Sequence, residues 1–335
     1  MPPRDQCARA VGSEGQSCDL YASVRAMSLT PTRSVIALLA LSCASSACIE
    51  DLDPKSVVKG PRILDMIAER PELNPGDTTS IRVVLAGTRG APTYRWFACL
   101  SADATRNPNS LANFGEGGTF AGCYGDSGAT TPLGNAPTAT FGAPRDLLSR
   151  LETASARFGS LLPDGVLQAL IHDVGITVGV AVEVTVDGVT LKGYKRLVVS
   201  ANARPNANPP SPRVRVNDTW VTAASGEDQV CVPESGGPLR VPRSQNVTLS
   251  PDPDEARWFE RYRVLTASGE LVDRTETAFY SWYATAGNFG RGLTQSPTRD
   301  NYWGAPDAAG ENSIWVILRD GHGGTSWCRI AVTVE

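Results

Sequence analysis

Ile176-Thr-Val-Gly-Val-Ala-Val-Glu-Val-Thr-Val186, then Asp187-Gly188, then Val189-Thr-Leu-Lys-Gly-Tyr-Lys-Arg-Leu-Val-Val199, is the stretch that decides the fold. Its first arm is filled with valine, isoleucine and threonine, which suit a pleated, half-buried surface. Asp-Gly between the arms has the backbone freedom that a two-residue hairpin turn needs. Both arms are therefore expected as strands.

Upstream, residues 62–69 and 78–85 are strand candidates, the second with Ile81, Val83 and Leu85 on one face. Pro71-Glu-Leu-Asn-Pro-Gly76 between them reads as a turn. Thr93-Tyr-Arg-Trp-Phe-Ala-Cys99 is an aromatic strand, and a buried Trp beside a disulfide is how a sandwich fills the space between its sheets. Residues 101–142 are rich in Gly, Asn, Ser, Thr and Pro and read as a long loop region. Leu147, Leu148 and Leu151 recur at helical spacing within 146–158, and 166–171 reads as a second helical turn, so a helical insert interrupts the β pattern near 146–171.

Downstream, Ala201-Asn-Ala-Arg-Pro-Asn-Ala-Asn-Pro-Pro-Ser-Pro-Arg213 reads as a stiff, extended linker. Strands are expected at 214–221, 245–250, 257–265 and 277–285, followed by a closing hairpin of 313–319 and 325–334 that turns at Asp320-Gly. The two sides of the linker echo each other. Tyr94-Arg-Trp-Phe-Ala98 matches Tyr280-Ser-Trp-Tyr-Ala284, and Phe141-Gly-Ala-Pro144 matches Trp303-Gly-Ala-Pro306, in the same order. The expected fold is all-β, with two tandem β-sandwich domains at 62–200 and 214–335.

The start of the chain reads as a leader. Ser34-Val-Ile-Ala-Leu-Leu-Ala-Leu-Ser-Cys43-Ala-Ser-Ser-Ala-Cys48 is too short to span a bilayer but fits a signal-peptide core preceded by Arg33. Met27 is the expected true start, residues 1–47 the leader, and residues 48–61 a tether. Cleavage before Cys48, after Ser45-Ser46-Ala47, would leave a sulfur that accepts a diacylglycerol, and Cys43 is the alternative. Neither cysteine has a leucine three residues upstream, so the lipobox is degenerate. Two or three acyl chains, palmitate among them, hold firmly at roughly 0.8 kcal/mol per buried CH₂. No aspartate directly follows either cysteine, which by analogy with bacterial sorting indicates the outer membrane or cell surface.

Of eight cysteines, the four that follow the anchor are expected as two disulfides, Cys99 with Cys123 and Cys231 with Cys328. The net charge of -4 speaks against a nucleic-acid partner, which would call for a basic face.

Several of these stretches occur together elsewhere: Cys48-Ile-Glu, Leu52-Asp-Pro54, Arg62-Ile-Leu, Pro71-Glu-Leu-Asn-Pro-Gly76, Tyr280-Ser-Trp-Tyr-Ala-Thr-Ala-Gly287 and Arg319-Asp-Gly-His-Gly-Gly-Thr-Ser-Trp327. They resemble a group of surface lipoproteins of the myxobacteria, predatory and social soil bacteria, over most of the mature chain. The Tyr-x-Trp strand and closing Asp-Gly hairpin also resemble bacterial immunoglobulin-like or PKD-like surface modules. The resemblance implies tandem immunoglobulin-like domains on a surface lipoprotein, and it adds no active site.

Candidate chemistry is sparse. The only two histidines, His172 and His322, sit in no HExxH pattern, and no GxSxG elbow accompanies them. Asp252, Asp254 and Glu255, with Asp320 as a further partner, could offer oxygens to Ca²⁺, although a polar turn around Pro251 and Pro253 explains the same residues. Trp258, Tyr280, Trp282 and Trp303 would form a sugar-stacking platform if exposed, whereas strand alternation sends half of such rings to the core. The expected function is a non-enzymatic envelope module that meets envelope proteins or polysaccharide. The alternatives are a carbohydrate- or protein-binding adhesin and, third, a secreted hydrolase.

Overall fold

The decisive hairpin forms in full register. In the computed structural model, Ile176 pairs with Val199 and every residue between follows, down to Val186 opposite Val189. Asp187 and Gly188 turn at φ 51° and 77°, the doubly positive geometry of a tight hairpin. The Asp187 carboxylate accepts hydrogen bonds from the Arg89 and Gly90 amides, which ties a neighbouring connection to the turn. The structure describes residues 55–99, 130–157, 165–224, 229–252, 254–266 and 270–335. The leader, Cys43, Cys48, Cys123 and most of the 101–142 loop lie outside the described residues.

The first half contains β1 (Arg62–Ala68), β2 (Glu72–Leu73), β3 (Thr78–Ala86), β4 (Thr93–Cys99), β5 (Thr131–Gly134), β6 (Thr138–Gly142), β7 (Ile176–Val186) and β8 (Val189–Val199). They form two sheets, β1-β3-β6 and β2-β8-β7-β4-β5. Trp96, Phe141, Met66, Leu73, Ile81 and Leu197 fill the space between them. β2 lies where a turn is expected. The Pro71 and Leu73 carbonyls accept from the Val198 and Ser200 amides, and Leu73 is buried, so two residues suffice for a parallel strand. Helix α1 (Leu147–Arg157) and a short helical run, Val166–Ala169 followed by Leu170–Val174, occupy the connection from β6 to β7.

The second half contains β9 (Val214–Val216), β10 (Thr219–Ala223), β11 (Val230–Pro233), β12 (Leu239–Val241), β13 (Asn246–Pro251), β14 (Arg261–Leu265), β15 (Leu271–Thr275), β16 (Phe279–Ala284), β17 (Asn288–Phe289), β18 (Leu293–Gln295), β19 (Asn301–Gly304), β20 (Gly310–Arg319) and β21 (Thr325–Val334). The strand expected over 214–221 is in fact a hairpin, because Asn217 adopts φ 51°. The main sheet runs β17-β19-β13-β9-β10-β11-β21-β20-β16-β18, with β12 also on β21. β17 and β18 are three residues apart in the chain, so one short segment joins both ends of this sheet. The Cys231–Cys328 disulfide forms as expected and fastens β11 to β21 inside the core.

Both halves repeat one order. A parallel strand flanks the last strand (β2 on β8, β11 and β12 on β21), and the last strand forms a hairpin with the one before it. That strand pairs in turn with the Tyr-x-Trp strand, β4 or β16. This is an immunoglobulin-like β-sandwich arrangement.

Residues Asp53–Glu335 form one compact unit, and a third apolar cluster lies between the halves. The register shifts between Ile63 and Asp65, and Leu64 joins Val58, Ile67, Val84 and Ala86 against Trp315 and Ile317 of β20. Part of the expected tether also docks. The Val58 amide donates to the Ala284 carbonyl at 2.8 Å, and the Ala284 amide donates to the Ser56 carbonyl at 2.9 Å.

Candidate functional site

Beside that apolar cluster lies a buried polar seam, built from the tip of the β20–β21 hairpin, the Pro-rich segment 201–213 and the first half's β1, β2 and β8. Asp320 directly follows β20 and is 1% exposed. One of its oxygens accepts from the His322 amide at 2.6 Å and the Gly324 amide at 3.0 Å, which shapes the turn. Position 324 must be glycine, since a Cβ there would stand 2.1 Å from the Asp320 carboxylate and 2.8 Å from the Ala207 carbonyl. The other Asp320 oxygen meets the Asn206 amide group at 3.4 Å.

Asn206 is the crossing point. Its side chain also donates to the His322 carbonyl at 3.1 Å, and its backbone amide donates to the Glu72 carboxylate of β2 at 2.6 Å. Glu72 accepts in addition from the Ser200 hydroxyl. Asn208 donates to the Ala68 and Glu69 carbonyls of the first half and accepts from the Thr325 amide of the second. The Ser326 hydroxyl donates to the Pro210 carbonyl. The segment expected as a stiff, extended linker is therefore bound along its length.

Two cations complete the seam. Lys195 of β8 donates to the Gly323 carbonyl at 2.8 Å and the Thr325 hydroxyl at 3.0 Å. Burial pushes its pKa down, and the nearby Asp65 partly opposes this. Arg319 of β20 pairs with Asp65 of β1 at 2.6 Å and donates to Ser281. Asp320 has its pKa raised, chiefly by burial and against the His322 amide hydrogen bond, while the nearby Glu276 adds to the rise.

His322 is not an exposed hairpin tip. Its ring stacks on Tyr262 of β14, with centroids 3.8 Å apart and planes at 14°. Its Nδ1 stands 3.6 Å from Oε1 of the buried Glu276. Glu276 and Glu260 close the base of the β14–β15 hairpin, each backbone amide donating to the other residue. Burial and then Glu276 raise the Glu260 pKa. Farther along the hairpin, Arg263 pairs with Asp173 of the helical insert at 2.7 Å. His172, beside Asp173, is exposed.

The other sequence candidates are placed elsewhere. Tyr280, Trp282 and Trp303 are core residues at 3%, 0% and 0% exposure, which corrects the sugar platform: period two along β16 and β19 turns these rings inward. Trp258 is half-buried, edge-on to Phe259 at 4.6 Å, and packs on the same core. The aspartates of the candidate Ca²⁺ turn are met by arginines. Asp252 lies 3.7 Å from Arg213 and 3.4 Å from Arg257, so its charge is met by arginines, and Asp254 reaches Arg257 at 3.9 Å. Glu255 opens a single 3-10 turn, Glu255–Trp258. Among the described residues, no three His, Cys, Asp or Glu gather in a way that could hold a metal ion. Cys99 is disulfide-bonded, and its expected partner Cys123 lies outside the described residues.

Sequence reasoning missed Lys195, Glu72, Asn206 and Asn208. The one signal available was the asparagine pair among the prolines of 201–213, since asparagine side chains readily satisfy backbone groups.

No family model and no curated protein matches the chain. Among solved structures, it is similar to a chimeric titin Z1Z2, at 10% identity over 83% of this chain and 98% of that one, with a TM-score of 0.20. The D0-D1 domain of intimin is similar at 8% identity over 81% and 98%, with a TM-score of 0.19. A nucleoside hydrolase-related protein from Saccharophagus degradans is similar at 17% identity over 38% of this chain, with a TM-score of 0.22, and the chain spans 26% of its length. The immunoglobulin-like arrangement rests on the strand pairing, not on these likenesses.

Proposed function

We propose that the chain is a non-enzymatic lipoprotein of the outer membrane or cell surface, moored through Cys48, in which two tandem immunoglobulin-like domains act as one stiff structural or interaction module. The observation that supports this is the buried polar seam. Neighbouring domains of one chain usually move relative to each other unless a substantial interface holds them. Here Lys195, Asn206, Glu72 and Asp320 are all buried and bonded, and separating them would leave buried polar groups unpaired, which favours one arrangement over others. Such a module holds its outer surface at a fixed distance from the membrane, where envelope proteins or polysaccharide meet it. The myxobacterial resemblance and the signal-like leader point the same way.

The test is mass spectrometry of the mature full-length protein from membranes, alongside Cys48→Ser and Cys43→Ser variants. The expected product starts at Cys48 with a diacylglyceryl group, and Cys48→Ser releases the protein from the membrane fraction. An unprocessed chain in the cytosol with its thiols reduced would sink the proposal.

A further inference from the structure

The contact between His322 and Glu276 is the part of the seam least explained by structural support alone. Both side chains are largely buried, and neither Nδ1 of His322 nor Oε1 of Glu276 makes a hydrogen bond in the described structure, although they face each other at 3.6 Å. The imidazole also lies flat on the Tyr262 ring. A charged imidazolium gains from both neighbours, as an ion partner for the carboxylate and as a cation over an aromatic face. A neutral one loses both gains at once.

We propose that His322 and Glu276 form a proton-operated latch that sets how firmly the β14–β15 hairpin is clamped against the rest of the molecule. The inference rests on the two halves being held as one body, but not on the lipid anchor. Every element packed here contributes a charge. β14 and β15 bring Tyr262 and Arg274, the base of the hairpin brings Glu260 and Glu276, and the β20–β21 tip brings Asp320. β2 brings Glu72, β8 brings Lys195, and Arg319 is already engaged with Asp65. Glu260, Glu276 and Asp320 repel one another, and a proton on His322 offsets that repulsion. Acidification therefore tightens the latch and alkalinisation loosens it. The Arg263–Asp173 pair holds the hairpin to the helical insert throughout.

Hydrogen exchange on the full-length protein, corrected for intrinsic rates, tests this at about pH 5.5 and about pH 8, the span over which imidazoles change charge. Amides of Arg261–Leu265 and Leu271–Thr275 are expected to open about fivefold less often at the lower pH, the size of effect that one charge-assisted contact makes in a local opening equilibrium. His322→Gln and Glu276→Gln should each abolish the difference, while His172→Gln, at the exposed second histidine, should leave it intact. Equal protection of the hairpin at both pH values, or a difference that survives Glu276→Gln, overturns the latch. Protection of β21 shows whether each variant folds, and Glu276→Gln carries the test if His322→Gln does not. If Leu64, Ile67, Trp315 and Ile317 stay protected while the hairpin ignores pH, the latch fails and the rigid module stands. If those four exchange freely, the rigid module fails too.

Discussion

Trp96 and Trp282 hold the same place in the two halves. Each lies on the strand paired with the penultimate strand of its sandwich, β4 with β7 and β16 with β20, at 1% and 0% exposure. Each has a tyrosine two residues earlier stacked on it, Tyr94 at 6.3 Å and Tyr280 at 6.1 Å. Their indole N–H groups are satisfied differently, Trp96 by the Ala136 carbonyl and Trp282 by the Thr294 hydroxyl. Phe141 and Trp303, which open the paired Gly-Ala-Pro stretches, lie buried on β6 and β19.

That difference yields a first prediction. Thr294→Val keeps the volume but strands the Trp282 N–H, so it should cost about 1–3 kcal/mol. Trp282→Ala and Trp96→Ala open large cavities and should each cost about 3–5 kcal/mol. Urea unfolding measures all three, and a neutral Thr294→Val would mean that the indole finds another acceptor.

The Cys231–Cys328 bridge closes a separation of 97 residues, nearly the whole second half. On the loop-entropy model, its loss should cost about 4–5 kcal/mol. A Cys231→Ala/Cys328→Ala variant should lower the urea midpoint of the second half most, with exchange rising in β11 and β21 before it rises in β7 and β8.

The parts of the fold that sequence revealed are those with long periodic runs. β7, β8, β20 and β21 each have ten or eleven residues, and the Asp187-Gly188 turn is local chemistry. β2 and β17 have two residues each, too few for any period to show. β9 and β10 read as one strand because Asn217-Asp218 is a weaker turn signal than Asp-Gly. The seam was illegible for a different reason. Proline-rich composition describes a stiff chain equally well whether it is solvated or bound, and the partners of Asn206 and Asn208 lie more than a hundred residues away in sequence. The aromatics were half-legible: spacing shows that Tyr280 and Trp282 share a face, but not which face is inside.

Lys195 tests what the seam contributes. Lys195→Ala removes two hydrogen bonds and leaves a void between the halves, and should cost about 2–4 kcal/mol. Lys195→Met refills most of the void without the desolvated charge and should cost less than half as much, since an apolar isostere often replaces a buried charge with little loss. Burial lowers the pKa of Lys195, so the wild type should also gain stability relative to Lys195→Met as pH rises towards the ordinary lysine range. Urea midpoints across that range would show the two curves diverging, and parallel curves would refute the assignment.

Asp320 offers the sharpest pH signature. Its pKa is raised, mainly by burial, so the folded state holds this proton more tightly than the unfolded chain does. The resulting stabilisation is fully present below the ordinary aspartate value of about 3.9 and is lost as pH rises through the folded value. Asp320→Asn cannot titrate. Its oxygen can still accept from the His322 and Gly324 amides, because both bonds fall on one oxygen of the native carboxylate. Its new amide group would face Asn206, whose own side-chain oxygen has no partner among the described residues and can rotate to accept. The variant should therefore lose no more than about 1 kcal/mol at neutral pH. Wild-type stability minus variant stability should fall as pH rises above about 4. Asp320→Ala strands both turn amides and should cost about 3 kcal/mol at any pH. Unfolding free energies at a series of pH values decide the matter: a difference that grows with pH would mean that Asp320 is stabilised as an anion, with its turn amides outweighing burial.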